Sequence, residues 1–287
     1  MIFEKVLIPT DFSDSAKKVI ECIGDIPGVK EIVIANALAR DPLARIWDPV
    51  AEAKEAEEKL RAEAGKVPKG IKVNVKVVSA LEGDTASIIQ QVADEEKASL
   101  VVMGARGRSR IISALLGSVS KDVLRYGNSH VLIMRYKALE GGEMGKFCER
   151  VLSKVLIPTD FSGTSEYAVS YLTSQTEINE VVLISIVSKG ETDAQLESNL
   201  TEARKKMDAL AGTLDKRGMK ATYRIEMGNP VEKILEVAKK EEVSLIAMSA
   251  QGAKAMKEHH IGSTAYDVAN NSDRPVLILR PSKMAMG

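Results

Sequence analysis

The chain has 287 residues, and its 40 basic and 40 acidic side chains cancel. That balance argues against a molecule-wide electrostatic footprint for nucleic acid, and an aromatic content of 4% argues against a base-stacking platform. Two cysteines, Cys22 and Cys148, cannot build a disulfide framework, and no run approaches the roughly 18 apolar residues of a membrane span.

In chain order, short β-branched runs alternate with longer amphipathic stretches. Strands are predicted at 5–9, 31–38, 71–79, 99–104 and 130–135, with helices near 13–24, 48–66, 84–97 and 118–127. The order then restarts. Strands are predicted at 154–158, 180–187, 219–226, 243–249 and 275–280, with helices near 163–175, 193–216, 230–242 and 263–271. The restart is literal: residues 5–13 and 154–162 carry the same letters, Lys-Val-Leu-Ile-Pro-Thr-Asp-Phe-Ser. Val-Leu-Ile-Met-Arg at 131–135 returns as Val-Leu-Ile-Leu-Arg at 276–280. A repeat of roughly 145 residues is a whole domain rather than a solenoid unit. The expected architecture is α/β, two tandem domains with parallel sheets covered on both faces. The first domain is expected over 1–138 and the second over 154–287. Between them, 139–153 reads as a polar linker interrupted by Gly141, Gly142 and Gly145. An acid at position 4 and no long apolar run near the start argue against a signal peptide, so the expected location is the cytoplasm.

In open α/β sheets, ligands bind beyond the carboxyl ends of strands, where the strand order reverses. Two strand ends carry unusual residues. Pro9, Thr10, Asp11, Phe12 and Ser13 follow the first strand. Met103, Gly104, Ala105, Arg106 and Gly107 close the fourth, and nine residues later Gly117, Ser118, Val119 and Ser120 open a helix. Glycines allow close approach of backbone to a ligand, and a helix N-terminus with free amides suits a phosphate. Arg106, Arg108 and Arg110 add positive charge. Read separately, Asp11 and Ser13 are also good helix caps, and an isolated G-x-x-G is a weak signal. Convergence at neighbouring strand ends favours a nucleotide phosphate cradle.

Gly104-x2-Gly107-x9-Gly117-Ser118 resembles the nucleotide-binding motif of the universal stress protein (UspA-like) family, as do the opening and closing segments quoted above. The resemblance covers both halves. It implies a Rossmann-like, five-stranded parallel sheet of order 3-2-1-4-5 in each, and binding of an adenine nucleotide, ATP or AMP, with Mg²⁺ accompanying ATP. Asp11 would address adenine or ribose, with Pro9, Thr10 and Phe12 beside it and Ala37 offering backbone to the adenine edge. Met103 and Gly104 would sit by the ribose. Arg106, Gly107, Gly117, Ser118, Val119 and Ser120 would surround the phosphates.

The second half departs from this pattern. Pro158, Thr159, Asp160 and Phe161 are intact, Ile186 matches Ala37, and Met248 matches Met103. Ser249 stands at the place of Gly104, Gln251 at that of Arg106, and Thr264 and Ala265 at those of Val119 and Ser120. Gly252, Gly262 and Ser263 keep the spacing, and Lys254, Lys257, His259 and His260 restore some positive charge. A second site, weaker toward phosphate, is expected. No Walker Gly-Lys-Ser/Thr, metal-ligand motif or Ser-His-Asp spacing is present. The reading is therefore a nucleotide-binding stress or regulatory protein. Its rivals are a slow ATP hydrolase or phosphotransferase using the same pocket, and a nucleotide-independent scaffold. The final strands, 131–135 and 276–280, would be apolar edges. Two such edges can pair about a local two-fold axis as an intramolecular pseudo-dimer, a mode also open to a further homodimer.

Overall fold

The structure is a computed structural model. It describes residues 3–39, 48–80, 84–105, 115–138, 144–146, 150–174, 178–187, 192–252 and 261–281. The chain divides into two compact units, Met1–Glu149 and Arg150–Gly287.

Unit 1 runs β1 (Lys5–Pro9), α1 (Asp14–Glu21), β2 (Glu31–Ala39), α2 (Pro49–Ala64), β3 (Lys72–Ala80), α3 (Thr85–Glu95), β4 (Leu100–Gly104), α4 (Ser118–Tyr126) and β5 (His130–Met134), then a small hairpin of β6 (Tyr136–Ala138) and β7 (Met144–Lys146). Strands β1 to β5 pair in parallel in the order 3-2-1-4-5. Val6, Leu7 and Ile8 of β1 are all fully buried. Successive strand side chains point to opposite faces, so both faces of this central strand are covered.

Unit 2 repeats the plan with β8 (Lys154–Pro158), α5 (Gly163–Thr173), β9 (Glu180–Val187), α6 (Asp193–Lys216), β10 (Lys220–Met227), α7 (Pro230–Lys240), β11 (Leu245–Ser249), α8 (Ser263–Asn271) and β12 (Val276–Leu279). Its strand order is the same, β10-β9-β8-β11-β12. No helix among the described residues is long and apolar enough to cross a membrane.

Helix starts follow their capping chemistry. Ser13, Asp48, Asp84, Ser162, Thr192 and Asn229 each accept a first-turn amide from the side chain, and Pro49 and Pro230 open their helices. α4 and α8 differ: Gly117 and Gly262 hold the N-cap position, and no side chain among the described residues caps them. Most element ends lie within a residue or two of the sequence reading, and two differences are larger. α1 ends at Glu21 with Cys22 as its C-cap, and a short 3₁₀ turn follows (Ile23–Asp25) before Ile26, the residue preceding Pro27, turns extended. Within the stretch read as linker, β7 pairs antiparallel with β6 at the end of the expected first domain, with Tyr136 opposite Lys146 and Ala138 opposite Met144.

At the amino ends of the strands each unit carries an ion network. In unit 1, Lys5 bridges Glu31 and Glu96 at 3.1 and 3.0 Å, Lys72 joins Glu31 at 3.1 Å, and Lys76 joins Glu96 at 3.2 Å. In unit 2, Lys154 bridges Glu180 and Glu241 at 3.4 and 3.1 Å, Lys220 joins Glu180 at 3.3 Å, and Arg224 pairs with Glu241.

Candidate functional site

A cavity of about 770 Å³ opens in unit 1 at the carboxyl ends of β1 and β4, within the usual range for small-molecule sites. Pro9, Thr10, Asp11, Phe12, Ala37, Met103, Gly104, Gly117, Ser118, Val119 and Ser120 all line it. The order 3-2-1-4-5 makes β1 and β4 neighbours while sending their successors to opposite sides, so the crevice forms where the two connections part. Arg106, Gly107, Arg108 and Arg110 lie outside the described residues.

The turn after β1 is built by Thr10. Its amide donates to Ala35 O at 2.8 Å, its carbonyl accepts Asn36 Nδ2 at 2.7 Å, and its hydroxyl accepts the Phe12 amide at 3.0 Å. Asp11 accepts the Ser13 amide at 3.1 Å. Phe12 sits at φ 63°, a left-handed conformation uncommon for a bulky side chain. Lys59 of α2 stands over its ring, 5.6 Å from the centroid.

The opposite wall is tied just as closely. Ala105 N–H donates to Met134 O at 3.0 Å, and Gly117 N–H donates to Ala105 O at 2.8 Å. Ser120 Oγ donates to Gly104 O at 3.1 Å. In this arrangement the Ser120 hydroxyl joins the end of β4 to the first turn of α4. Gly117, Ser118 and Val119 carry the start of α4, which lacks a side-chain cap, to the cavity wall. Peptide amides at such a terminus suit an anion.

Sequence reasoning missed a third wall. Glu52, Glu55, Ala56 and Lys59 of α2 line the cavity, as do Thr85, Ile88, Ile89 and Val92 of α3. It also missed Asn36, a 6% exposed polar residue in β2 whose Oδ1 is buried with no hydrogen-bond partner among the described residues. The signal for Asn36 was its place as the one amide in an apolar run.

Unit 2 places its counterparts on the same elements. Pro158 ends β8, Thr159, Asp160 and Phe161 form the turn, Ile186 lies in β9, Met248 and Ser249 end β11, and Gly262, Ser263 and Thr264 open α8. Phe161 repeats the left-handed conformation, φ 59°, and Lys206 stands 5.2 Å from its ring centroid. The loop after β11 sits tight against the turn. Thr164 Oγ1 donates to Gln251 O at 2.8 Å, and a Cβ at Gly252 would come within 2.7 Å of Asp160 Oδ2. Gln251 N–H reaches Ser249 Oγ at 3.4 Å, using the hydroxyl that unit 1 lacks at Gly104. Lys254, Lys257, His259 and His260 lie outside the described residues. Among the described residues no group of three or more His, Cys, Asp or Glu side chains could hold a metal ion.

The model of the universal stress protein family matches residues 2–135 and again residues 152–280. A universal stress protein from Archaeoglobus fulgidus DSM 4304 has a similar structure, with a TM-score of 0.72 and 26% identity, covering 98% of this chain and 97% of that one. The universal stress protein MJ0577 of Methanocaldococcus jannaschii is 29% identical over 152 residues, which span 44% of this chain and 94% of that protein. A universal stress protein of Mycolicibacterium smegmatis is 26% identical over 204 residues, or 68% of this chain and 66% of that protein. With one family model fitting each half in turn, over the same strand order and the same turn after the first strand, the chain belongs to the universal stress protein family as a tandem, two-domain member.

Proposed function

We propose that this protein binds an adenine nucleotide, ATP or AMP, in the unit 1 cavity and works as a stress-response or regulatory protein in the cytoplasm. The observation that carries the reading is that every described unit 1 residue of the nucleotide-binding pattern lines one cavity. Adenine would lie between the Asp11 turn and Ala37, ribose beside Met103 and Gly104, and phosphates at the start of α4 with Arg106 and Gly107. Mg²⁺ arriving with ATP would take its ligands from phosphate and water, the common arrangement for this ion. Unit 2 is a second, weaker site of the same kind. The domain limits 1–138 and 154–287, joined by 139–153, belong to the same reading. So does pairing of the two units through their final strands, for which β5 and β12 each stand at the end of their unit's strand order.

Turnover is slow or absent in this reading, because phosphoryl transfer needs metal ligands and a water-orienting residue besides a cradle. Mass spectrometry of small molecules released from the purified protein by gentle denaturation tests it. An adenine nucleotide near stoichiometric amount is expected. Its absence, with no affinity for added ATP or AMP, would favour the scaffold. Phosphate release on the order of 1 s⁻¹ would favour the hydrolase.

A further inference from the structure

Glu63 is a core residue by position and an acid by chemistry. It lies in the last turn of α2, on the face that buries Ala56 and Leu60, and is 5% exposed. Its Oε2 accepts from Thr10 Oγ1 at 3.2 Å, while Oε1 is buried with no hydrogen-bond partner among the described residues. Three charged groups face it from the surrounding elements: Lys17 of α1, Lys66 in the turn after α2, and Asp11 in the turn after β1. The two cations favour its ionised form and Asp11 opposes it. Burial outweighs both cations and the Thr10 hydrogen bond, pushing the carboxyl above its ordinary value of 4.5.

The Thr10 hydroxyl has one hydrogen to give. With Glu63 ionised, that hydrogen goes to Oε2, and a lone pair accepts the Phe12 amide at 3.0 Å. A proton on Oε2 makes the carboxyl the donor. Thr10 must then turn its own hydrogen elsewhere, and the Phe12 anchor shares its acceptor with a second donor. In unit 2 the corresponding threonine meets a hydroxyl in place of a carboxyl. Thr159 Oγ1 lies 3.1 Å from Ser165 Oγ and accepts the Phe161 amide at 3.1 Å. Aligning Lys59 with Lys206, each over its phenyl ring, sets Leu210 at the place of Glu63. Aligning the shared nine-residue segments sets Ala16 at the place of Ser165. A hydroxyl on the first helix in one unit is thus replaced by a carboxyl on the second helix in the other.

We propose that Glu63 is a positioning residue of the unit 1 site, whose proton state, relayed through the Thr10 hydroxyl, sets the Asp11–Phe12 turn and links ligand capture in unit 1, but not in unit 2, to proton uptake. The ligand's identity rests on the nucleotide reading above; the relay does not. An anion entering the cavity adds negative charge on the far side of the Thr10 hydroxyl from Glu63, which favours the protonated carboxyl. Unit 1 therefore takes up a proton on binding, and its affinity rises as pH falls toward 4.5. One proton taken up corresponds to at most about tenfold per pH unit.

The test has two arms. In ligand-free protein followed by NMR, the Phe12 amide is expected to titrate with the Glu63 carboxyl, at a midpoint above 4.5. The Phe161 amide lacks that step, and Glu63→Gln deletes it. A Phe12 amide indifferent to Glu63 would overturn the relay whether or not nucleotide binds. In calorimetry with ATP across buffers of different ionisation enthalpy, Glu63→Gln is expected to bind and to lose the extra proton uptake of the natural chain, cancelling the nucleotide's own titration from the comparison. The double change Ala16→Ser with Glu63→Leu, which installs the unit 2 anchor, should behave like Glu63→Gln. Undiminished proton uptake in both variants would overturn the linkage.

Discussion

The amino ends of the strands and the carboxyl ends tell different stories about the two units. Beneath the sheets, Lys5, Glu31, Glu96, Lys72 and Lys76 correspond one for one with Lys154, Glu180, Glu241, Lys220 and Arg224. Only the Lys76–Arg224 pair differs in residue type, and the charge is kept. Above the sheets, Gly104 has become Ser249, Arg106 has become Gln251, Ser120 has become Ala265, and the carboxyl at Glu63 has become a leucine. The core of the network is kept in each unit, although Lys76 also pairs with Glu95 at 2.6 Å, where unit 2 has Lys240. The crevices, where the proposed nucleotide would bind, are where the two copies have diverged.

That contrast can be broken most sharply at Gly107. Under the proposed function, Gly107→Val sets a β-branched side chain where the backbone would approach phosphate closely. It should weaken ATP binding in unit 1 by about 100-fold or more, about 2.7 kcal/mol, with circular dichroism unchanged. Normal binding in the folded variant would move the cradle elsewhere.

Whatever binding survives in Gly107→Val belongs to unit 2, so the same protein measures the gap between the sites. A lost charge-assisted hydrogen bond costs about 1.5–3 kcal/mol and a neutral one about 0.5–1.5 kcal/mol. Unit 2 should therefore bind ATP at least about tenfold more weakly than the intact chain does. Restoring Gln251→Arg and Ala265→Ser in that background should narrow the gap in isothermal titration. Equal affinities before any restoration would erase the distinction.

The smallest effect is expected beneath the sheets, and there the units should respond alike. The hydrogen bond from Lys5 holds Glu96 below the ordinary carboxylate value, against the effect of burial. For Glu241, burial raises the value, but hydrogen bonds from Lys154 and Arg224 leave it lowered. A carboxyl depressed in the folded state stabilises above its unfolded value, here about 4.5, and loses that contribution as pH falls through the folded value. Glu96→Gln and Glu241→Gln should each cost about 1 kcal/mol or less at pH 7. The cost should vanish in acid, read from urea unfolding at pH 7 and pH 3. A penalty confined to one unit would show that the networks are not equivalent.

Most of the frame was legible because parallel strands buried on both sides read as unbroken apolar runs, as at 5–9 and 154–158, and because Asp48 with Pro49 and Asn229 with Pro230 announce their helices. The end of α1 was overread because its apolar pattern continues through Cys22 and Ile23, which belong to the C-cap and the following 3₁₀ turn. The walls supplied by α2 and α3 were invisible, since which face of a helix meets a cavity depends on where the helix lands against the sheet. Glu63 did leave a trace. It falls seven residues after Ala56 and three after Leu60, on the buried stripe of its helix, where an acid is out of place.

The nine shared residues around β1 and β8 also bear on how the chain reaches its fold. Each segment is the central strand of its own unit, and Lys5 opposite Glu31 repeats in register as Lys154 opposite Glu180. Strand β8 carries the same side chains and the same charge pairing that β2 and β4 require, so it can fill the place of β1, and the reverse holds as well. Refolding from denaturant therefore exposes the full chain to an intramolecular mispairing that neither half alone can make. Synthesis on the ribosome, which delivers β1, β2 and β4 before β8 exists, avoids the contest by timing rather than by contacts.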